Sequence, residues 1–260
     1  MHFDLTDLYR SRPSAVHRLD PRVKVTGAVL YIVAAGLVPV GAWMAFGLLF
    51  VLSLLASTAA RLGTAFALRR SYIALPFALV ALPLLFTVPG ETLVTLPMAG
   101  SISIPGAERF ASLLLRSWVA VQGAILLTAA TPFPDILWAL GALRMPAVLV
   151  ATIGFMYRYI FVLADETARM LRARAARSAA APGGRRPTLV WRARVAGLMV
   201  GSLFLRALER SERVHAAMLA RGFRGAMPAA APRAMRLDDW VTAAAVALVL
   251  AGLLAWTYAG

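Results

Sequence analysis

Two short motifs have the residue types needed to bind a carboxylate, because each holds an arginine between small residues. They share one pattern and consist of Ala176, Arg177 and Ser178 and, 44 residues later, of Ala220, Arg221 and Gly222. A guanidinium pairs with a carboxylate through two parallel hydrogen bonds, and small neighbours let the backbone enter a groove. The repetition predicts two copies of the same acceptor on a partner, although the pattern also fits a solvated basic helix face.

No other group of residues in the sequence predicts catalysis or metal binding. Cobalt or nickel requires several converging imidazole, thiolate or carboxylate ligands, but the chain has no cysteine and its histidines are far apart. The GxxxxGK[ST] loop that cradles ATP phosphates is missing, and the acidic residues offer no catalytic pair. We therefore predict a non-enzymatic chain without its own metal or cofactor. The histidines are His2, His17 and His215.

The composition places these motifs in a membrane protein. Of the 260 residues, 60% are hydrophobic and only 15% are charged, whereas soluble domains carry about 25% charged residues. The net charge is +15, and Lys24 is the only lysine. In a membrane protein such basic residues mark cytoplasmic loops, which leaves little room for nucleic-acid binding.

Five apolar stretches approach the roughly 20 residues that cross a bilayer core of about 30 Å. Between the third and the fourth, residues 89–109 contain the alternating runs TLVTL and SISI, which predict a β-hairpin. A short helix, Asp135–Leu143, follows the fourth. The five predicted spans are Arg22–Val38, Trp43–Ala60, Ser71–Val88, Ala111–Ala130 and Trp240–Gly260.

A further apolar stretch, Met145–Ala164, is predicted not to cross the membrane. If the N-terminus is cytoplasmic, four spans return the chain to the cytoplasm near Thr131. Another crossing would then place 15 arginines and only four acidic residues of Asp165–Arg236 outside, against the positive-inside rule.

We therefore predict two long cytoplasmic helices, from Met145 to about Ser178 and from Leu189 to about Arg221. The Gly- and Pro-containing segment Ala179–Pro187 separates them. In the second helix, the apolar stretch Ala196–Leu205 must be buried against protein or lipid, and Gly222 is the candidate C-terminal cap.

The fold class is then an all-α integral membrane protein with a cytoplasmic N-terminus and a periplasmic C-terminus. Its predicted parts are residues 1–131 with four spans, 132–238 with the long helices, and 239–260 with the last span.

Several segments together resemble the transmembrane (T) component of energy-coupling factor (ECF) transporters, specifically the CbiQ family of the cobalt system. They are LDPRVK (Leu19–Lys24), MYRYIFVLADE (Met156–Glu166), RSERVHAAMLARGF (Arg210–Phe223) and the two arginine motifs. The family's first motif commonly reads Ala-Arg-Gly, whereas this chain has the equally small Ser178 at the third position.

The resemblance implies the coupling subunit of an ATP-driven cobalt importer in the bacterial inner membrane. Two CbiO-like ATPase subunits would bind ATP and Mg, and each would receive one arginine motif in a groove. A separate CbiM-like substrate-capturing subunit, with a small CbiN-like subunit as a further candidate, would hold Co²⁺ or Ni²⁺. Closure of the ATPase dimer would shift the long helices and reorient that subunit.

Three alternatives stay open at the level of the sequence. The same role could serve nickel or a vitamin, because the substrate-capturing subunit holds the specificity. A membrane-embedded enzyme would need converging polar residues inside the spans, and a scaffold would only anchor soluble partners. Arg116 also has two interpretations: an anchor at the membrane interface, or an intramembrane charge that pairs with the substrate-capturing subunit.

Overall fold

A computed structural model describes residue 9 and residues 14–63, 66, 69–96, 100–179, 188–223 and 234–259. The described elements are helices with one two-stranded ribbon, which confirms the predicted all-α class. The α-helices are α1 (Ala15–Arg18), α2 (Pro21–Leu37), α3 (Trp43–Ala59), α4 (Leu75–Ala81), α5 (Leu84–Thr87), α6 (Ile104–Ala130), α7 (Phe133–Ala142), α8 (Ala147–Ala179), α9 (Leu189–Ala220) and α10 (Leu237–Ala259).

Three of the described helices are long and apolar enough to cross a membrane, over residues 104–130, 147–177 and 237–259. The predicted count of five spans stays a prediction. The chain divides into two compact units. We call residues 5–143 with 231–260 the bundle unit, and residues 144–230 the helix-pair unit. Helix α7 belongs to the bundle unit.

Local capping residues set the starts of the bundle helices. Asp20 caps α2 by accepting the backbone N–H of Arg22 at 2.8 Å, and Pro21 opens the helix. Ser103 accepts the N–H of Gly106 at 3.1 Å and begins α6 well before the predicted Ala111. The turn between α2 and α3 contains Gly41, whose φ of 84° is a conformation that glycine adopts without strain.

The third predicted span, Ser71–Val88, consists of short helical pieces in place of one continuous helix. A 3₁₀ turn (Ser71–Ala74) leads into α4, and α5 follows after a break at Leu82 and Pro83. Proline removes a backbone donor and clashes with the preceding turn, so it ends a helix here. The predicted hairpin is confirmed: β1 (Thr92–Leu96) pairs antiparallel with β2 (Gly100–Ser103).

Small residues and a few polar contacts hold the bundle helices together, as expected where water does not drive helix association. At Gly123 of α6, an added Cβ would lie 2.7 Å from the ring of Tyr31, so only glycine permits this approach to α2. Ser53 of α3 donates to Gln122 Oε1 of α6 at 2.6 Å. The buried core is formed by Tyr31, Ala34, Ala35, Val38, Ala45, Phe46, Leu49, Val119, Leu250 and Leu253.

Helices α2 and α10 run parallel to each other. At their starts, the backbone N–H of Asp20 donates to Asp239 Oδ1 at 2.9 Å. At their ends, the hydroxyl of Tyr258 donates to the carbonyl of Leu37 at 2.8 Å. Helices α2 and α10 therefore begin on the same face of the bundle unit.

Helix α6 runs antiparallel to α2 and returns the chain to that face. Near the start of α6, Ser112 Oγ accepts the N–H of Gly41 at 3.2 Å. After its end, Trp138 of α7 lies under the guanidinium of Arg22, 4.7 Å from the ring centre. The chain thus leaves the bundle unit after α7 on the face where α2 and α10 begin.

Arg116 has a role that neither sequence interpretation named. Its Nη2 donates to the carbonyl of Val38 at 2.6 Å, and Val38 is the C-cap of α2. A cation at this position satisfies a carbonyl that the helix leaves unpaired and complements the negative end of the helix dipole. Arg116 is therefore a helix cap within the bundle.

Candidate functional site at the two long helices

The helix-pair unit is formed by α8 and α9, which agree closely with the predicted ranges. Glu166 of α8 joins them, because its Oε1 accepts from Arg206 Nη1 of α9 at 2.6 Å. Its other oxygen accepts from Arg169, one turn further along α8, at 2.5 Å. The side chain of Glu166 is only 13% exposed. One carboxylate thus binds two cations and fixes the point at which the helices meet.

The contacts join the basic second half of α8 to the apolar first half of α9. Arg174 lies over the ring of Trp191 at 5.8 Å from its centre. Between the helices is a groove with a volume of about 500 Å³, and Arg177 is one of its lining residues. The groove is lined by Met170, Ala173, Arg174, Arg177, Trp191, Val195, Leu198, Met199, Ser202 and Arg206.

Arg221 lies at the C-terminal cap of α9. Gly222 follows with a φ of 83°, its N–H donates to Leu219 O at 3.0 Å, and the N–H of Phe223 donates to Met218 O at 3.0 Å. This bond pattern is a Schellman motif. It confirms the predicted cap at Gly222 and holds the backbone of Arg221 in a defined conformation.

Both arginines are exposed, and no described residue of the chain engages their guanidinium groups. Over the described residues, neither guanidinium makes a hydrogen bond or an ion pair. Ala176, Ala220 and Gly222 are exposed as well, and a Cβ added at Gly222 would meet no atom within 4 Å. Only the helical backbone of Ser178 is described. The small residues therefore leave open surface beside each arginine.

The structure presents the two arginines separately. Arg177 shares its groove with Trp191 and Val195 from the first two turns of α9, whereas Arg221 ends this helix. At 1.5 Å per residue, the helix between Val195 and Arg221 is about 40 Å long. Two sites so far apart suit two separate acceptors better than a single one.

The apolar stretch Ala196–Leu205 was expected to be buried by protein or lipid, but the described chain does not bury it. Leu198, Val200 and Phe204 each expose about two thirds of their surface. A soluble chain rarely leaves so many large apolar side chains on one helix uncovered. A partner or the bilayer must therefore cover this part of α9.

Two residues of this region have roles that the sequence did not reveal. Glu166 was recognised only as the end of a motif, and its bridge to Arg206, 40 positions away, depends on the packing of the helices. Trp191 lines the groove beside Arg174, a contact that no local pattern of the sequence indicates. Arg185 and Arg186, in the break between the helices, lie outside the described residues.

Comparisons with known proteins agree with the resemblance. A family model described as a cobalt transport protein, CbiQ, matches residues 13–230. The cobalt transport protein CbiQ of Rhodobacter capsulatus is 30% identical over 68% of this chain and 72% of its own. The energy-coupling factor transporter transmembrane protein EcfT of Listeria innocua is 27% identical over 94% of both chains. A putative ABC transporter ATP-binding protein of Bifidobacterium longum is 27% identical over 93% of this chain but 32% of its own.

Proposed function

The chain belongs to the CbiQ family of cobalt transport proteins and is a transmembrane component of an ECF-type transporter, and from this premise we propose that it couples ATP hydrolysis by partner subunits to cobalt import. The observation that carries the proposal is the pair of exposed arginines. Each is flanked by small residues at the end of a long helix. Among the described residues, neither guanidinium makes a hydrogen bond or an ion pair.

The relative from Bifidobacterium longum supports ATPase partners. Almost all of this chain matches only about a third of that protein, which is named for ATP binding. Because this chain has no phosphate-binding loop of the GxxxxGK[ST] kind, we infer that the relative's ATP-binding function lies in the part that this chain does not match. We infer that this chain obtains the same function from separate ATPase subunits, one at Arg177 and one at Arg221.

The exposed apolar part of α9 supports a second kind of partner. We propose that a substrate-capturing membrane subunit covers Leu198, Val200 and Phe204. Because the groove residues Val195 and Leu198 belong to the same helix as Arg221, a movement of the ATPases would displace the covered surface along with the arginines. A scaffold that only anchors partners would not need this connection.

Cobalt is proposed as cargo and not as a ligand of this chain. In the part of the chain that the structure describes, no group of three or more His, Cys, Asp or Glu side chains could hold a metal ion. His17 shares a hydrogen bond of 2.7 Å with Ser14, and His2 lies outside the described residues. The name of the family and of the Rhodobacter relative favour cobalt, and nickel remains the alternative cargo.

We propose a cytoplasmic N-terminus and a periplasmic C-terminus in the inner membrane. Since the chain leaves and re-enters the bundle unit on one face, residues 144–230 must cross the membrane either twice or not at all. Helix α8 is apolar enough to cross, but α9 is not among the helices that meet this condition. Two crossings would bury the charges of Arg206, Glu209 and Arg213 in lipid. This supports no crossing, with both arginine motifs on the cytoplasmic side.

Reconstitution with the candidate ATPases tests the proposed function. The complete transporter in liposomes should import ⁵⁷Co²⁺ only in the presence of ATP and of this chain. Omitting this chain should leave ATPase subunits that no longer drive uptake. ATP-dependent uptake that continues without this chain would refute the coupling role, and import of Ni²⁺ in preference to Co²⁺ would refute the proposed cargo.

A further inference from the structure

A pocket between the helices of the bundle unit has the character of a lipid site. Helices α2, α3, α6 and α10 surround a cavity of about 240 Å³, which we call the inter-helix pocket. Its walls are almost entirely apolar and include small residues that leave space between the helices. Among the lining residues are Gly27, Ala28, Leu52, Ala56, Leu127 and Val246.

Lys24 and Thr131 are two of the polar side chains in this largely apolar lining. Lys24 is the one charged side chain among the described lining residues, and its Nζ also donates to the carbonyl of His17 at 3.3 Å. Thr131 at the end of α6 is 1% exposed, and its Oγ1 has no hydrogen-bond partner in the part of the chain that the structure describes. A buried hydroxyl without a partner costs free energy, so a ligand with acceptor oxygens at this position would be stabilised.

The pocket begins where a lipid head group would lie. Lys24 is in the first turn of α2, beside the basic residues Arg18 and Arg22. From Lys24 to Tyr31, another lining residue, the helix rises about 10 Å. The pocket therefore extends from the end of the bundle toward its middle, with a charged end at the surface and an apolar end inside.

The neighbouring carboxylates are already engaged with the backbone. Both oxygens of Asp239 accept N–H groups, from Asp20 at 2.9 Å and from Arg236 at 2.9 Å. Asp20 in turn accepts the N–H of Arg22. These acidic groups hold the starts of α2 and α10 together and stay charged. In the same segments, four basic residues outnumber the three acidic residues: Arg18, Arg22, Lys24 and Arg236 against Asp20, Asp238 and Asp239.

We propose that the inter-helix pocket binds an anionic phospholipid, with one acyl chain between the helices and the phosphate at Lys24. Basic pockets between membrane helices are recognised by anionic head groups, and the inner leaflet supplies such lipids. The acyl chain fills the apolar walls, and a phosphate or ester oxygen accepts from the hydroxyl of Thr131. The site is independent of the arginine motifs and of the proposed coupling role.

Native mass spectrometry of the purified full chain in detergent tests this site. The probes are phosphatidylglycerol and phosphatidylcholine with identical acyl chains. The wild type should retain phosphatidylglycerol in preference to phosphatidylcholine. Lys24→Gln should lower the affinity for phosphatidylglycerol about five-fold, the effect typical of one basic residue near an anionic surface. Arg109→Gln, at an exposed arginine near the start of α6 and outside the lining, should change it much less.

Substitutions that fill the pocket test the binding of the acyl chain separately from the binding of the head group. Ala28→Phe and Ala56→Phe should each reduce the binding of both lipids, whereas Val33→Phe, on an exposed face of α2, should not. A thermal unfolding transition shows that each variant is folded. Two filling variants are used, so that the test still stands if one of them does not fold. Equal retention of both lipids by the wild type, or unchanged phosphatidylglycerol binding in Lys24→Gln and in both folded filling variants, would overturn the proposal.

Discussion

Arg177 and Arg221 differ from neighbouring exposed arginines in having small residues on both sides. If each enters a partner groove and pairs with a carboxylate, removing the guanidinium leaves that carboxylate buried and unpaired. Such a truncation costs about 2–5 kcal/mol. Arg221→Ala should therefore strongly weaken ATPase binding in a pull-down, and the double variant with Arg177→Ala should abolish transport. Lysine should rescue poorly because it lacks the planar fork.

Arg172→Ala provides the matched control for these variants. Arg172 is also exposed on α8 but does not line the groove and lies outside both motifs. Its removal should cause only a small, salt-sensitive change. Equal mild losses in Arg172→Ala, Arg177→Ala and Arg221→Ala would mean that the arginines form a diffuse basic face.

Substitutions of Gly222 distinguish two roles of this residue, the conformation of the helix cap and close approach to a partner. Alanine at a φ of 83° should destabilise the end of α9 by about 1–2 kcal/mol. Asparagine tolerates this conformation better but adds a side chain. We expect Gly222→Asn to keep the thermal stability of the chain and still lose ATPase binding. If Gly222→Asn binds the ATPases as the wild type does, the glycine serves only the cap.

At the scale of elements, Glu166 determines how α8 meets α9. Glu166→Gln removes the charge that holds both Arg169 and Arg206, so the helices should no longer keep one fixed crossing. We expect ATPase subunits to bind this variant normally while the ratio of imported cobalt to hydrolysed ATP falls several-fold. Simultaneous measurement of uptake and phosphate release gives this ratio.

Glu209→Gln is the matched control, because it makes the same chemical change at a residue that does not join the two helices. Glu209 pairs with Arg213 on the same helix at 3.9 Å, with both side chains about 70% exposed, and exposed pairs of this kind contribute little. Its coupling ratio should equal that of the wild type. A wild-type ratio in Glu166→Gln as well would show that the bridge does not transmit movement.

At the scale of the whole molecule, the parallel course of α2 and α10 predicts on which side of the membrane each part of the chain lies. The chain has no native cysteine, so single cysteines report without background. In sealed cells, Ala259→Cys should react with a membrane-impermeant maleimide, whereas Ala216→Cys on α9 should react only after lysis. Labelling of position 216 in intact cells would place the arginine motifs outside and would contradict an ATPase-docking role.

A second prediction for the whole chain concerns its binding of the proposed cargo. Since no ligand cluster is found in the described residues, the purified chain alone should bind neither Co²⁺ nor Ni²⁺ with micromolar affinity in calorimetric titrations. Stoichiometric binding that disappears in His2→Ala would show that the amino-terminal region holds a metal site. The substrate-capturing subunit should bind the ion in the absence of this chain.

Local features of the sequence were sufficient to predict the membrane class, the hairpin and the ranges of the long helices. Hydropathy, proline and glycine act within a few residues, so Gly222 could be recognised as a cap and residues 145–178 as one long helix from their neighbours alone. The arginine motifs were also visible, because each places an arginine between two small residues at consecutive positions.

The tertiary structure alone decided which distant groups meet. Asp20 contacts Asp239, which is 219 positions away. Arg116 contacts Val38 of another helix, and Glu166 of α8 contacts Arg206 of α9. Each contact depends on the relative position and rotation of packed helices, which no local pattern encodes. For the same reason, the separation of Arg177 from Arg221 and the inter-helix pocket became apparent only in three dimensions.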